Sequence, residues 1–436
     1  MGKDVSVLII SPEYPPFLLG GLGTHVYELT RGLVRRGVKV FLFAHNPGRN
    51  EIVSEGSLTV CYFSMPGFNP LQGLAEREMD FNDLRALNRL LIEKAKALFA
   101  QQIRPVDLIH SHDWFGFNAG RELRRAFSAP LINTMHILHN PFVKWWGKPI
   151  PSAIVKVESA VCTESDLVIT VSQAMKQSII HSYGSDPKSV RVIHNGFEPE
   201  PLDQQLAMES RTSLRSRVAP AGEKIVLYAG RLVPMKGVEQ LLLSASRVTK
   251  EFANVVYLLC GRHTEDAYAW KLVKLVESDA NLRNKVKLLG WQSREQLRAF
   301  YSIADIAVVP SRFEPFGYAA LEAMAANVPV VATDVGGLSE ILAGNTGGLL
   351  VPLVTRPDGQ RHADIEKLAE AQLTLLRNPA LADEMARAGR QRADTQFPVD
   401  KMVDSTLEAY LDTARGGRIR RPRRQPSAAA GNANAE

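Results

Sequence analysis

The chain has 436 residues, about three times a typical domain length of roughly 150, so two domains are expected rather than one. Apolar residues at 45% and charged residues at 22% are ordinary globular values, which excludes a collagen-like, coiled-coil or wholly disordered polymer. The net charge of +6 is uneven: residues 415–436 carry +5 and the preceding 414 carry +1, so the globular part offers no basic field for nucleic acid.

In chain order, residues 5–10 (Val-Ser-Val-Leu-Ile-Ile) read as a buried strand, without the charged start and cleavage site of a signal peptide. The longest apolar runs, 255–260 and 304–309, fall far short of the roughly 18 residues that span a bilayer, and a cytoplasmic location is expected. A Pro/Gly loop leads to a helix over 22–36 and a strand over 38–43. Further strands are expected over 107–110, 131–134, 167–171 and 190–193, each apolar on both faces as a strand between helix layers must be. The pattern breaks in the turn-rich run 194–201, and polar residues continue to about Lys224, so a domain boundary is placed there. A second series of strands follows over 225–229, 255–260, 286–289, 306–309, 328–331 and 349–351. Helices over 380–395 and 400–414 flank a break at Phe397-Pro398. Residues 415–436 are rich in Arg, Pro, Ala, Gly and Asn and too poor in apolar groups to offset the entropy of ordering; a disordered tail is expected, with contact to acidic lipid or nucleic acid as its other reading. Cys61, Cys162 and Cys260 show no paired spacing, so they read as small buried hydrophobes rather than a disulfide framework or a zinc cage. The fold class is therefore α/β, with two doubly wound sheets and a ligand cleft outside the carboxyl ends of their strands.

Three loops carry candidate chemistry. Between the first strand and helix, Gly20, Gly21 and Gly23 free the backbone to present N–H groups to a phosphate, although glycines would equally shape a plain tight turn. In Gly230-Arg231-Leu232-Val233-Pro234-Met235-Lys236-Gly237, Arg231 and Lys236 are spaced to reach one diphosphate, the first as a planar fork and the second as a point charge; a solvated surface pair is the plainer alternative. In the stretch 311–325, Glu314 precedes a helix that holds Glu322. Eight residues advance a helix by about 800°, so the two need not share a face, yet both can touch a ligand lying along the helix start. His136 ends a strand and Asp113 follows one. Taken singly, His136 would be a satisfied structural imidazole and Asp113 a cap for the following helix. No Asp-x-Asp metal motif occurs in the chain.

Together these stretches resemble the retaining glycosyltransferases of families 4 and 5, with likeness from about residue 5 to 414. Glu314 and Glu322 match the E-x7-E signature, accompanied by Gly20-Gly21, the stretch 230–237 and Val335-Gly336-Gly337. His110-Ser111-His112-Asp113-Trp114, Glu314-Pro315-Phe316-Gly317 and the early Pro-Pro…Gly-Gly-Leu resemble glycogen and starch synthases. Bacterial glycogen synthases carry Lys-Thr-Gly-Gly-Leu in the first loop, where this chain has Leu18 in the Lys position.

The resemblance implies a GT-B fold of two Rossmann-like domains facing across a cleft: residues 1–197 on the acceptor side, 198–398 binding a nucleotide sugar, and a helix over 399–414 returning to the first domain. It implies transfer, with retention, of a hexosyl group, favoured as glucosyl, from a donor of the UDP- or ADP-glucose type. The carbohydrate acceptor is favoured as an α-glucan, and no metal or other cofactor is implied. By position, Arg231 and Lys236 would hold the diphosphate, and Glu314 with the backbone at Phe316, Gly317 and Tyr318 the sugar hydroxyls. Glu322 would bind the ribose, Gly20 and Gly21 would approach the donor, and Gly261 and Leu289 would border the base. His136 would lie beside the donor sugar and Asp113 near the acceptor. The alternatives are a transferase making cell-envelope or small-molecule glycosides, a UDP-sugar 2-epimerase, and a non-catalytic nucleotide-sugar-binding protein. Trp145 and Trp146, with Lys144 and Lys148, would stack on an acceptor sugar, touch a membrane surface, or pack as a plain loop.

Overall fold

The computed structural model describes residues 5–18, 20–64, 81–100, 105–139, 152–198, 204–262, 266–357 and 359–415. Expectations for Trp145, Trp146, Lys144, Lys148 and residues 416–436 lie outside them.

Two sheets organise the chain. The first contains β1 (Ser6–Ser11), β2 (Lys39–His45), β3 (Glu51–Glu55), β4 (Leu58–Phe63), β5 (Leu108–His112), β6 (Leu131–Met135), β7 (Leu167–Thr170) and β8 (Val190–Val192), in the order β3-β4-β2-β1-β5-β6-β7-β8. All neighbours are parallel except β3, which pairs antiparallel with β4 and lies exposed along the edge. The second contains β9 (Lys224–Ala229), β10 (Val255–Cys260), β11 (Val286–Gly290), β12 (Ile306–Val309), β13 (Val330–Thr333) and β14 (Gly348–Val351), all parallel, in the order β11-β10-β9-β12-β13-β14. A small hairpin, β15 (Leu353–Thr355) with β16 (Arg361–Ala363), stands apart.

Every expected strand forms, and the shifts at its ends have local causes. β5 runs on to His112 because His110, Ser111 and His112 are polar yet fully buried and bonded to neighbours. β13 begins only at Val330 because Pro329 has no N–H to give to the ladder. The β3–β4 hairpin and the helix Gln204–Val218 were not expected. That helix sits in the polar stretch because Arg211 and Arg215 hold it, donating to the carbonyls of Ser302 and Ile303 at 2.6 Å each.

The helix Val399–Ala414 lies on the helix Gly21–Arg35 and buries Val403, Leu407 and Tyr410 against the first sheet. Gly32 permits the approach: a Cβ there would stand 2.4 Å from Val403 Cγ2. One apolar cluster runs from Leu8 and Ile10 in the first sheet to Phe316, Leu338 and Phe397 in the second half. All three cysteines are free and buried. Among the described residues, no helix is long and apolar enough to cross a membrane.

Candidate active site

In each sheet the winding direction reverses at one point, and there the loops at the carboxyl ends of two adjacent strands part and leave a crevice. In the first sheet this point lies between β1 and β5, and in the second between β9 and β12. Gly20 and Gly21 follow β1, Asp113 follows β5 and His136 follows β6. Arg231 and Lys236 follow β9, Gly261 follows β10, and Leu289 is the penultimate residue of β11. Glu314, Phe316 and Gly317 follow β12, and Tyr318 and Glu322 lie in the helix Tyr318–Ala325. All are thus at or beyond strand carboxyl ends.

At the second crevice, Lys236 Nζ donates to Glu314 Oε2 at 2.7 Å, and Ser311 Oγ donates to the same oxygen at 3.1 Å. The Lys236 and Glu314 side chains are only 19% and 11% exposed, so the pair is shielded from solvent screening. Glycines set its geometry. Gly237 has φ +68°, and a Cβ there would lie 1.9 Å from the Pro310 carbonyl oxygen; the two loops are joined by Arg312 N–H donating to Met235 O at 2.9 Å. Gly336, φ +55°, lets the following turn press on Glu314, whose carbonyl accepts from Gly337 N–H at 2.9 Å. Glu314 does not cap the helix, which starts at Tyr318 behind Gly317 without a side-chain cap.

Arg231 makes no ion pair with any described residue, and its carbonyl accepts from Tyr228 OH at 2.7 Å. Gly261 crosses the Gly230 carbonyl so closely that a Cβ would stand 1.8 Å from it. Leu289 is part-buried, and its carbonyl accepts from Gln292 Nε2 at 2.7 Å. Beside it Trp291 is 60% exposed, with the Arg262 guanidinium 5.1 Å from its ring. Burial raises the Glu322 carboxyl above its usual range, and Tyr301 OH donates to it at 3.1 Å. Phe316 is buried against Tyr318, His194 and Phe397. Tyr318 rests on Gly21, where a Cβ would lie 2.7 Å from the tyrosine ring, so the first loop meets the E-x7-E helix directly.

At the first crevice four imidazoles converge. His112 Nδ1 and His136 Nε2 are 3.1 Å apart with rings nearly parallel, and His25 of the helix Gly21–Arg35 lies 4.7 Å from His136 and 5.4 Å from His112 between ring centroids. His25 Nδ1–H donates to Asn195 Oδ1 at 2.8 Å. His110 is bracketed by Tyr410 OH at 2.6 Å and Thr134 Oγ1 at 2.7 Å. Burial pushes His25 down to about 4 and His110 to about 3, and holds His112 and His136 well below the usual imidazole value, so all four are neutral at pH 7.

Asp113, in the left-handed region at φ +52°, accepts from the His136 backbone N–H at 2.7 Å. Its carboxylate therefore fixes the end of β6; the helix Phe117–Phe127 is preceded by Gly116 and has no side-chain cap, so the helix-cap reading of Asp113 does not hold. Burial pushes the Asp113 carboxyl up to about 8 even though backbone N–H bonds oppose the rise.

The halves are also bonded through Glu340. Its Oε2 contacts His194 Nε2 at 2.7 Å, and its Oε1 accepts from Ala174 N–H at 3.1 Å, at the start of the helix Gln173–Tyr183. Burial raises this carboxyl, but the His194 bond and two backbone N–H bonds outweigh it and the net shift is downward.

Sequence reasoning assigned no role to His25, His110, His112, Asn195 or Glu340. One signal was available: His110 and His112 are two apart in a strand and so share a face.

Residues 19–201 match the model of Glycosyltransferase Family 4, and residues 210–392 that of Glycosyl transferases group 1. A glycogen synthase of Mycobacterium tuberculosis is 28% identical over 435 residues, covering 96% of this chain and 97% of that protein. The sucrose-phosphate synthase of Thermosynechococcus elongatus superposes with a TM-score of 0.76 at 26% identity, covering 94% and 99% of the two chains. Anabaena Alr3699/HepE, in a structure with UDP and glucose, shares the fold at a TM-score of 0.71 and 21% identity, covering 94% and 100%. Both halves of the chain are thus accounted for, and the chain belongs to the GT-B glycosyltransferases of the family 4 and 5 type, as a hexosyltransferase.

Proposed function

We propose that this enzyme transfers a glucosyl group, with retention, from a nucleotide diphosphate sugar to a hydroxyl of an α-glucan. The observation that carries this reading is the Lys236–Glu314 pair at the reversal point of the second sheet, with Arg231 on the same loop. When the donor's bond to its diphosphate breaks, negative charge grows on the leaving phosphate, and fixed cations there lower the barrier. Lys236 spends one N–H on Glu314 and keeps two for phosphate oxygens; Arg231 offers a planar fork. Glu314 accepts both its bonds through Oε2, which leaves Oε1 to accept from a sugar hydroxyl. Glu322 would receive the ribose hydroxyls.

His136 and Asp113 form the opposing wall. With Nε2 against His112, the neutral His136 imidazole keeps one ring nitrogen for a sugar hydroxyl and places no cation beside the developing positive charge of the sugar. Asp113 holds the backbone that carries it. The named activity of the Mycobacterium tuberculosis relative supports a glucan acceptor, and the UDP and glucose in the Anabaena structure support the donor class.

A second reading, a small phosphorylated sugar as acceptor, is favoured by the name of the sucrose-phosphate synthase neighbour. Incubation with UDP-glucose or ADP-glucose, with and without glycogen, separates them. Nucleotide release that depends on glycogen is expected. Release driven only by a small phosphorylated sugar supports the second reading, and no release with any donor would refute both.

A further inference from the structure

We propose that His25, His112 and His136 form a binding site for one divalent cation of the Zn2+ class. The three imidazoles come from separate elements: the first helix, β5, and the residue after β6. One ring nitrogen from each lies within 4.8 Å of the other two. Zinc takes imidazole nitrogens at about 2.0–2.1 Å, which places any two ligands of a tetrahedral ion about 3.3 Å apart. His112 Nδ1 and His136 Nε2 already stand at 3.1 Å. His25 has to close by about 1.5 Å at most, the difference between 4.8 Å and that tetrahedral edge.

Two observations beyond proximity point to a ligand. Nε2 of His25 is buried with no hydrogen-bond partner, on a residue 2% exposed. His25 Nδ1–H is committed to Asn195, so its lone pair sits on the free Nε2. A histidine oriented through its other ring nitrogen in this way is the usual supporting arrangement of a metal ligand. Three neutral nitrogens and no carboxylate select borderline transition ions over Mg2+ or Ca2+, which prefer oxygen. The site is therefore separate from any Mg2+ that a diphosphate would carry in. Three protein ligands leave a fourth position for water or a hydroxyl. The positions 25, 112 and 136 are far apart in sequence, and only the meeting of β5, β6 and the first helix joins them.

The functional consequence rests on the proposed place of His136 beside the donor sugar: a bound cation would put positive charge on that imidazole, beside the developing positive charge of the sugar, and stop transfer reversibly.

The test uses the full-length chain without an affinity tag, stripped by a chelator and titrated with Co2+. The expected result is one equivalent bound, with the intense visible absorption of four-coordinate Co2+, displaced by Zn2+. His25→Ala and His112→Ala should abolish that absorption. Asn195→Ala, which touches no metal, should weaken binding about 10–100-fold. Only the weak spectrum of six-coordinate Co2+ in the unaltered protein, or undiminished binding in a folded His25→Ala variant, would overturn the site. Transfer measured in parallel should fall with Zn2+ and recover with chelator. A filled Co2+ site with unchanged transfer would leave the metal site standing and overturn the role of His136.

Discussion

Lys236 and Glu314 stabilise each other and are also assigned to different parts of the donor, so their two roles separate on substitution. Lys236→Ala leaves Glu314 an uncompensated carboxylate with little exposure, at a cost of about 1–3 kcal/mol. Turnover should fall at least tenfold, toward the 10²–10³ typical of a lost charge-stabilising donor. Adding Glu314→Gln should restore most of the thermal stability without restoring turnover. Recovery of both, in melting and nucleotide-release assays, would make the pair purely structural.

The imidazoles give a second prediction at this scale. Burial depresses their folded pKa values, so they bind fewer protons folded than unfolded below pH 6.5. Their contribution to stability is complete above about 6.5 and is lost as pH falls toward about 4 for His25 and about 3 for His110. Asp113, raised to about 8, acts oppositely: its contribution is complete below its unfolded value near 3.8 and is lost as pH rises through about 8. Melting temperatures should therefore fall on acidification from pH 6.5 to 4, the four imidazoles outweighing one carboxyl; a flat profile would mean they are not buried neutral. At this scale the charged residues stood out in the sequence because Gly-Arg…Lys-Gly lies within one loop and E-x7-E spans one loop and the helix that follows it. The histidine cluster was not, because its members are brought together by strand order, which one sequence does not display.

Loops after parallel strands need glycine where two of them cross, and Gly237 shows the requirement most plainly. Gly237→Ala would place a Cβ 1.9 Å from the Pro310 carbonyl oxygen at φ +68°, where a side chain already costs about 1–2 kcal/mol. The loops after β9 and β12 should separate, so donor affinity and stability should fall together. A variant with unchanged affinity would show that this crossing does not hold the site. On the far side of the first sheet, the helix Val399–Ala414 is tied in by Tyr410 OH at 2.6 Å from His110 Nδ1. Tyr410→Phe should cost about 0.5–1.5 kcal/mol by chemical denaturation. Strands were legible as short apolar runs because both faces of a parallel sheet are buried. The helix Gln204–Val218 was not, since its attachment relies on arginine-to-carbonyl bonds that look in the sequence like a solvated linker.

Across the whole molecule, loops beyond the carboxyl ends of the two sheets meet, and the chain crosses between the sheets more than once. Tyr318 lies on Gly21, and Glu340 bonds both His194 and the start of the helix Gln173–Tyr183. Glu340→Ala removes both bonds of that bridge. It should raise KM for the donor while changing kcat little, because no reacting atom is touched; an unchanged KM would show that the bridge does not hold the halves in register. The two-sheet architecture was legible from the break near residue 197, but the Glu340 contacts joining the halves could not be, since a lone Glu in a helix has no pattern to mark it.

The measurement that bears most directly on this scheme is a crystal structure with an intact or slowly reacting nucleotide sugar bound. The expected result is the diphosphate against Arg231 and Lys236, the sugar between Glu314 and His136, and the ribose at Glu322. A nucleotide lodged away from the loops after β9 and β12, or a diphosphate contacting neither cation, would contradict it.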